Sequence, residues 1–423
     1  MSTIAKVHAR RVWDSRGRPT VEAEVTLDDG SVGRGIAPAG ASRGTREAID
    51  LRDGGAKLGG LDVQRAVANV NGEIAAALKN RDAHDQASLD NLLIALDGTP
   101  NKARLGGNAT VAVSIAALHA SAQSARKPLW ERVSEGRPVS MPLPEIQIIG
   151  GGAHAGRRVD IQDFMVIPLG AKTFAEAMEM TAEVYLSAGA LMKAAGKLAG
   201  VADEGGWWPV FSANEEALEM LTRAIDQAGF AHRDMAISLD IAASEFGSNG
   251  QYELGLDKRK LDTSGLIDML GKWLDSYPIV SIEDPLAEDD EAGLIEFTRR
   301  FGARVQIIGD DYLVTNAARV EQAARIKAVN SALIKLNQAG TVTETKAALD
   351  AAKRTGMTAL VSARSGETED VTITHLAIGW NAGQLKVGSF ARSERMAKWN
   401  EALRIEEAAG VRFAGRGALS AAG

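Results

Sequence analysis

Residues 279–311 read IVSIEDPLAEDDEAGLIEFTRRFGARVQIIGDD. They contain two short apolar runs, the first ending at Glu283 and the second at Asp310. A segment with helical periodicity lies between the runs. Because 27 residues separate the two acids, the spacing is sufficient for one strand and one crossover helix. The stretch therefore predicts two neighbouring parallel strands that carry acidic residues at their ends.

The same pattern occurs seven times after residue 145. Successive charged ends are 22 to 43 residues apart, and each spacing accommodates a strand and a helix. Charged residues at the ends of successive strands are the expected layout of a (β/α)8 barrel with its active site at the C-terminal face. The seven runs end at Glu204, Asp240, Glu283, Asp310, Lys335, Arg364 and Lys386. The sequence therefore predicts an α/β fold built around such a barrel.

The N-terminal third follows a different pattern, in which strands precede helices. Alternating apolar residues predict a hairpin whose strands cover 21–27 and 31–36. Helical periodicity follows at 63–78, 89–96 and 109–125. This order is typical of a small α+β domain.

Two segments mark the limits of that domain. The segment 37–44 is rich in glycine and alanine, and we expect it to be a mobile loop. Residues 138–144 contain three prolines and indicate a domain boundary. We therefore expect an α+β capping domain over residues 1–135 and the barrel, with the catalytic site, over residues 136–423.

Composition excludes several classes of function. The chain has 48 basic and 55 acidic residues, a formal net charge of −7, so we expect neither a nucleic-acid partner nor an anionic membrane. It contains no cysteine, which excludes disulfides, thiolate metal sites and cysteine nucleophiles. The N-terminal segment lacks the apolar core of a signal peptide, and no run of 18 apolar residues occurs. We expect a cytoplasmic protein.

Three acids of the predicted barrel could share one cation. Asp240, Glu283 and Asp310 end successive strands, so their carboxylates should converge. Magnesium prefers such oxygen ligands and keeps positions free for water and substrate. Calcium is the competitor, but the sequence has no looped cluster of Asp and Asn ligands.

The later strands carry cations. A lysine close to a metal ion and other cations has its ammonium form disfavoured, so Lys335 or Lys386 could act as a base. Arg364, next to Ser365, suits a phosphate or carboxylate because its guanidinium presents a fixed fork of donors. Together these groups suggest removal of a proton α to a carboxylate, with metal charge stabilising the enediolate.

Long motifs along the chain carry a family resemblance. They are RVWDSRGRPTVEAEV (11–25), ASRGTREAIDLRDG (41–54), DGTPNKARLGGNA (97–109), GGGAHAG (150–156), FMVIPLGAKTFAEA (164–177), ADEGG (202–206), SLDIAASEF (238–246), SIEDPLAEDD (281–290), GDDYLVTN (309–316), KLNQAGT (335–341), RSGETED (364–370) and KVGSFARSERMAKWNEALRIEE (386–407). From residue 3 to about residue 419 the chain resembles the enolase (phosphopyruvate hydratase) family, which implies a carbon–oxygen lyase. The resemblance also implies a barrel of modified topology, an N-terminal α+β domain, and a homodimer or higher homo-oligomer.

The resemblance assigns roles around two magnesium ions and a small phosphorylated carboxylic acid, 2-phosphoglycerate. It implies that the first ion is held by Asp240, Glu283 and Asp310, and the second by Ser42, which also meets the substrate. Lys335 would take the C2 proton, and Glu204 would assist loss of the 3-hydroxyl, with Asp163 also in the catalytic site. The other substrate contacts would come from Arg364 and Ser365 on the phosphate, Lys386 near the carboxylate, and His154 and Gln162 on the pocket wall.

Four places near the site depart from the family pattern. A pocket histidine is replaced by Ala363, and a catalytic-site glutamate by Asp163, which is one methylene shorter. Two adjacent tryptophans, Trp207 and Trp208, follow the ADEGG motif, and Arg157 and Arg158 follow the GGGAHAG motif. The lost histidine would open space. The indoles could stack on a substrate ring, pack within the loop or lie at a subunit contact. The arginines, with Arg43, would add positive charge near the pocket mouth or lie in solvent.

Three functions follow from these observations. The first is an enolase-type lyase acting on 2-phosphoglycerate and phosphoenolpyruvate, and the departures suggest a specialised paralogue. The second is an enzyme of the carboxyphosphonoenolpyruvate synthase type, from phosphonate antibiotic biosynthesis, which uses a nucleotide-activated phosphonoformate. The third is a catalytically silent relative kept for binding, against which the retained acids and lysines count.

Overall fold

The computed structural model describes residues 2–419. Its N-terminal part contains a three-stranded antiparallel sheet in the order β1 (Ile4–Trp13), β2 (Pro19–Leu27), β3 (Val32–Ile36). The predicted hairpin is confirmed, since β2 pairs with β3 across a turn in which Gly30 has a φ of +86°. The sequence pattern did not reveal β1, whose exposed and buried residues do not alternate regularly.

Helices cover one face of this sheet, and all three predicted helical segments are present. The helices are α1 (Gln64–Asn69), α2 (Ala75–Leu78), α3 (Gln86–Asp97), α4 (Gly107–Ser124) and α5 (Leu129–Ser134). A π-helical turn at Val70–Ile74 joins α1 to α2. The buried helix α4 lies very close to β3, where a Cβ atom on Gly33 would stand 2.1 Å from the carbonyl oxygen of Ala116.

Eight strands close the predicted barrel. The closed order is β4 (Leu143–Gly150), β5 (Asp163–Ile167), β8 (Ala236–Asp240), β12 (Ile279–Glu283), β13 (Gln306–Gly309), β14 (Ser331–Ile334), β15 (Thr358–Ser362) and β16 (Gly383–Gly388), with β16 pairing back to β4. The strand β5 runs antiparallel to both of its neighbours, whereas the other barrel pairs are parallel. This one reversed strand is the modified topology that the resemblance implied.

The remaining elements surround the barrel. The helices are α6 (Phe174–Ala194), α7 (Glu215–Gln227), α8 (Thr263–Ser276), α9 (Glu291–Phe301), α10 (Ala317–Ile326), α11 (Leu336–Ala339), α12 (Val342–Arg354), α13 (Thr372–Gly379) and α14 (Ser393–Ala409). Two small antiparallel units consist of β6 (Leu198–Val201) with β7 (Trp207–Pro209), and β9 (Gly247–Ser248) with β10 (Gln251–Leu254) and β11 (Arg259–Asp262).

One of the seven predicted barrel strands is wrong. The run that ends at Glu204 forms β6, which pairs antiparallel with β7 in a hairpin outside the closed barrel. Gly205 and Gly206 allow the chain to return directly, so no crossover helix follows this strand. The barrel instead uses β4 and β5, which the pattern of charged strand ends did not identify.

The predicted domain boundary at residues 135 and 136 falls between α5, which ends at Ser134, and β4, which begins at Leu143. The division of the chain at this point stays a prediction. Within residues 2–419, no helix combines the length and the apolar character that a membrane span requires.

Candidate active site

The register of three adjacent barrel strands places three acids side by side. Asp163 of β5 stands opposite Asp240 of β8, and Asp240 stands opposite Glu283 of β12. Asp310 directly follows the last residue of β13. All four carboxylates are buried. Because β5 is antiparallel, its first residue, Asp163, lies at the same barrel end as the last residues of the parallel strands.

Two lysines contact these acids. The Nζ atom of Lys386 lies 3.0 Å from Oδ2 of Asp240, 2.8 Å from Oε2 of Glu283 and 3.7 Å from Oδ2 of Asp163. The Nζ atom of Lys335 donates to Oδ2 of Asp310. Burial lowers the pKa of each lysine, but the nearby carboxylates outweigh burial, so both pKa values are raised. The carboxylates thus favour the ammonium form of both lysines. The expectation that a metal ion and other cations disfavour that form stays a prediction.

A second group surrounds His154. Its Nδ1 atom lies 3.5 Å from Oε1 of Glu204 and 3.9 Å from Oδ1 of Asp163. Burial raises the pKa of Asp163. Burial acts in the same direction on Glu204, but the positive charges around it, His154 first, leave its pKa lowered. The pKa values of these two neighbouring carboxyl groups are therefore shifted in opposite directions.

A loop from the N-terminal domain reaches the barrel at Arg364. Nη2 of Arg364 donates to the carbonyl oxygen of Ser42 at 2.9 Å, and Nη1 donates to Oε2 of Glu47 at 3.0 Å. The hydroxyl oxygen of Ser365 accepts the backbone N–H of Ala41 at 3.3 Å. The segment that the sequence predicts as a mobile loop thus lies against both predicted phosphate-binding residues.

One pocket gathers nearly all predicted site residues. Ser42, His154, Gln162, Asp163, Glu204, Asp240, Lys335, Arg364, Ser365 and Lys386 line it. Glu283 and Asp310 do not line it, but they contact Lys386 and Lys335. The pocket holds about 20 Å³ of water-accessible space, close to the room for a single water molecule. Ala363 also lines this pocket, so the lost histidine has not left a wide chamber.

Two groups of potential metal ligands occur among residues 2–419. In each group the candidate ligand atoms all lie within 4.8 Å of one another. The groups are His154 with Asp163 and Glu204, and Asp284 with Asp310 and Asp311. The predicted set of Asp240, Glu283 and Asp310 is not gathered this closely, since the Lys386 ammonium bridges two of its members. That set stays a prediction.

Four buried residues of the site were missed by reasoning from the sequence. Gln147 donates from its amide to Asp163 and accepts the N–H of Gly206 at 2.9 Å. Glu145, buried in β4, accepts a hydrogen bond from the hydroxyl of Ser238. The other two residues, Glu47 and Asn337, both contact Arg364. None of the four ends a barrel strand, so the pattern of charged strand ends carries no signal for them.

The two tryptophans pack within the protein. The ring of Trp207 stacks on Tyr185 with centroids 4.5 Å apart, and its Nε1 donates to the Tyr185 carbonyl at 2.8 Å. Trp208 covers Gly156, at which a Cβ atom would stand 3.1 Å from the indole. Neither ring lines the pocket. The idea that they stack on a substrate ring is therefore wrong, and Trp208 instead supports the loop that carries His154.

The added arginines lie outside the pocket as well. Nη2 of Arg157 pairs with Oε2 of Glu245 at 2.7 Å on the surface. Arg43 is half exposed and lies 3.8 Å from Asp50, and Arg158 is exposed. Their positive charge is therefore directed at surface partners or solvent and not at the pocket interior.

Comparison with known proteins agrees with this architecture. Residues 4–133 match the family model described as "Enolase, N-terminal domain", and residues 138–422 match "Enolase, C-terminal TIM barrel domain". The chain is also 49% identical over 426 residues to Enolase 1 of Desulfitobacterium hafniense (strain Y51). That alignment covers 99% of this chain and 98% of the relative. With both domain models and a relative of nearly equal length in agreement, the chain belongs to the enolase family.

Proposed function

We propose that this enolase-type lyase removes water from 2-phosphoglycerate to give phosphoenolpyruvate, and that it requires magnesium. The observation that carries the proposal is the single pocket in which buried acids, two lysines and an arginine face one another. Abstraction of a proton α to a carboxylate needs a base, stabilisation of the enediolate and an anchor for the phosphate. The pocket offers a candidate for each of these tasks.

The proposed ligands of the first magnesium ion are Asp240, Glu283 and Asp310, and Ser42 is the proposed ligand of the second. The residues fit a hard cation, because the donors are oxygen atoms and Oε1 of Glu283 is buried without a hydrogen-bond partner in the described structure. When bound, the cations supply positive charge that stabilises the enediolate.

The protein's own groups then have the following proposed roles. Lys335 accepts the C2 proton, and it must first lose the proton that its contact with Asp310 retains. Glu204 assists departure of the 3-hydroxyl, and Asp163, which lines the same pocket, is the other acid of the proposed catalytic site. The contacts proposed for binding are Arg364 and Ser365 on the phosphate, Lys386 near the carboxylate, and His154 and Gln162 on the wall.

Calorimetric titration with magnesium chloride tests the metal assignment. We expect Asp240→Asn to lose binding that the wild-type protein shows, because a neutral amide is a weaker ligand for a hard cation than a carboxylate. Asp62→Asn is the control, since Asp62 is an equally buried carboxylate in the N-terminal domain, paired with Arg11. Magnesium binding by Asp240→Asn that equals wild type would remove Asp240 as a ligand.

A specialised reaction of the carboxyphosphonoenolpyruvate synthase type is the second candidate. The observation that favours it is that two of the departures, Asp163 and Ala363, line the pocket. The high identity to Enolase 1 favours the first candidate. The two differ in outcome, since the specialised enzyme would exchange the C2 proton of 2-phosphoglycerate with little dehydration.

We further propose a homodimer or higher homo-oligomer in the cytoplasm, on the family likeness. The oligomer prediction is supported by the segments 14–17 (DSRG) and 404–407 (RIEE), and the first of these has a role within the chain. The backbone N–H of Ser15 donates to the carbonyl of Glu367 at 2.8 Å, and the guanidinium of Arg16 pairs with Asp14. Contact with the barrel is therefore a sufficient role for the segment 14–17. The oligomer proposal rests on the segment 404–407 and on the overall likeness to the family.

A further inference from the structure

Glu47 belongs to the N-terminal domain but is buried against the barrel. Its Oε2 atom lies 3.0 Å from Nη1 of Arg364, and its Oε1 atom lies 3.3 Å from Nη2. The side chains are only 5% and 3% exposed, so the ion pair is shielded from water. A carboxylate that meets both terminal nitrogens fixes the plane of the guanidinium as well as its position.

The same carboxylate holds the loop that carries Ser42. Oε1 of Glu47 accepts the backbone N–H of Gly44 at 3.1 Å, while Arg364 donates to the Ser42 carbonyl at 2.9 Å. A Cβ atom at Gly40 would stand 1.9 Å from Nη2 of Arg364, so the loop backbone packs directly on the guanidinium. Loop and arginine are therefore fixed together through Glu47.

A third contact leads towards the proposed base. The amide of Gln338 donates to Oε1 of Glu47 at 3.2 Å and to Oδ1 of Asp310 at 2.7 Å. Asp310 in turn accepts from Lys335. Glu47 thus lies at the junction of the Ser42 loop, the anion-binding arginine and the carboxylate that contacts the lysine.

We propose that Glu47 is a positioning residue that holds Arg364 and the Ser42 loop ready for the phosphate of the substrate. The inference rests on the anion-binding role proposed for Arg364. A buried guanidinium without a counter-charge would be costly and free to reorient, so an incoming phosphate would have to order it. With Glu47 present, that ordering is complete before the phosphate binds.

The test compares Glu47→Gln with the wild-type protein at full length. Calorimetry with inorganic phosphate in excess magnesium measures anion affinity without turnover, and steady-state kinetics with 2-phosphoglycerate separate KM from kcat. Loss of a charge-assisted hydrogen bond should weaken phosphate binding and raise KM by about tenfold. We expect kcat to fall by a smaller factor, and Glu47→Asp, which keeps the charge, to recover part of the affinity.

Asp62→Asn is the matched control, because it removes the charge of a buried carboxylate, paired with Arg11, in the same domain and away from the pocket. It should leave phosphate affinity unchanged. Wild-type phosphate affinity and KM in folded Glu47→Gln would overturn the inference. Should that variant fail to fold, unchanged affinity in Glu47→Asp would overturn it. Wild-type protein that binds phosphate without converting 2-phosphoglycerate would refute the proposed function alone, whereas wild-type protein that binds no phosphate would overturn the role of Arg364 and this inference together.

Discussion

Lys335 and Lys386 neutralise part of the negative charge buried at the mouth of the barrel. Each ammonium contacts at least one carboxylate that is proposed as a metal ligand. A buried carboxylate without such a partner would be strongly destabilised. The two lysines therefore contribute to the folded state as well as to the proposed chemistry, so a test of catalysis must include a test of folding.

Lys335→Ala should abolish exchange of the C2 proton of 2-phosphoglycerate with deuterated solvent. Loss of a general base lowers a rate by about 10² to 10⁴, and the exchange is followed by proton nuclear magnetic resonance. Lys346→Ala is the control, since Lys346 pairs with Asp350 outside the pocket. Unchanged exchange in a folded Lys335→Ala variant would exclude Lys335 as the base.

Ala363→His combined with Asp163→Glu tests whether these departures specialise the site. We expect no gain in the dehydration rate, because Asp163 and Ala363 are both buried, so larger side chains would have to displace groups that already line the pocket. The rate is measured from the formation of phosphoenolpyruvate, with each single variant as a reference. A tenfold or larger increase would instead show that the two changes had directed the enzyme to another substrate.

At the level of strands and helices, the sequence predicted the parallel strands well and the reversed one poorly. Six charged residues correctly identified six parallel strands. In a parallel strand of such a barrel, the C-terminal end lies at the catalytic face, so a charged residue is expected there. Asp163 begins its strand, and only the family resemblance pointed to it. The run that ends at Glu204 was wrongly predicted to be a barrel strand. An apolar run that ends in an acid can also turn back into a hairpin, as β6 and β7 do, without a crossover helix.

A contact between two outer helices gives a prediction about pH. Oε1 of Glu401 on α14 lies 3.4 Å from Nε2 of His375 on α13, and this contact, followed by Arg404, lowers the pKa of Glu401 to about 2. A carboxyl group whose pKa is lower in the folded state stabilises the protein above its unfolded pKa, and the effect is lost as pH falls through the folded value. Glu401→Gln should therefore reduce stability near neutral pH and have less effect in acid.

Urea unfolding at about pH 6 and about pH 3 measures that difference. Because solvent screens this partly exposed pair, we expect a loss of no more than about 1 kcal/mol at the higher pH. Glu407→Gln, an exposed change on the same helix, is the control. An equal loss of stability at both pH values would mean that the charge of Glu401 does not stabilise the fold.

For the whole molecule, the active site is completed by contact between the two parts of the chain. The sequence separated an N-terminal α+β unit from a barrel, because strand and helix periodicities are local properties. It could not show that Glu47 meets Arg364, since the two residues are more than 300 positions apart and neither position predicts the other. The sequence also could not decide whether Trp207 and Trp208 face the substrate or pack within the protein, because a large aromatic side chain suits either environment.

Conversion of 2-phosphoglycerate to phosphoenolpyruvate is the reaction that we propose for this pocket. The most direct measurement follows the ultraviolet absorbance of phosphoenolpyruvate with excess magnesium, beside a parallel sample in deuterated water that is examined for exchange at C2. We predict sustained turnover together with exchange. Exchange with little or no dehydration would contradict the claim and assign the second half of the reaction to another substrate, and the absence of both would contradict catalysis by this pocket altogether.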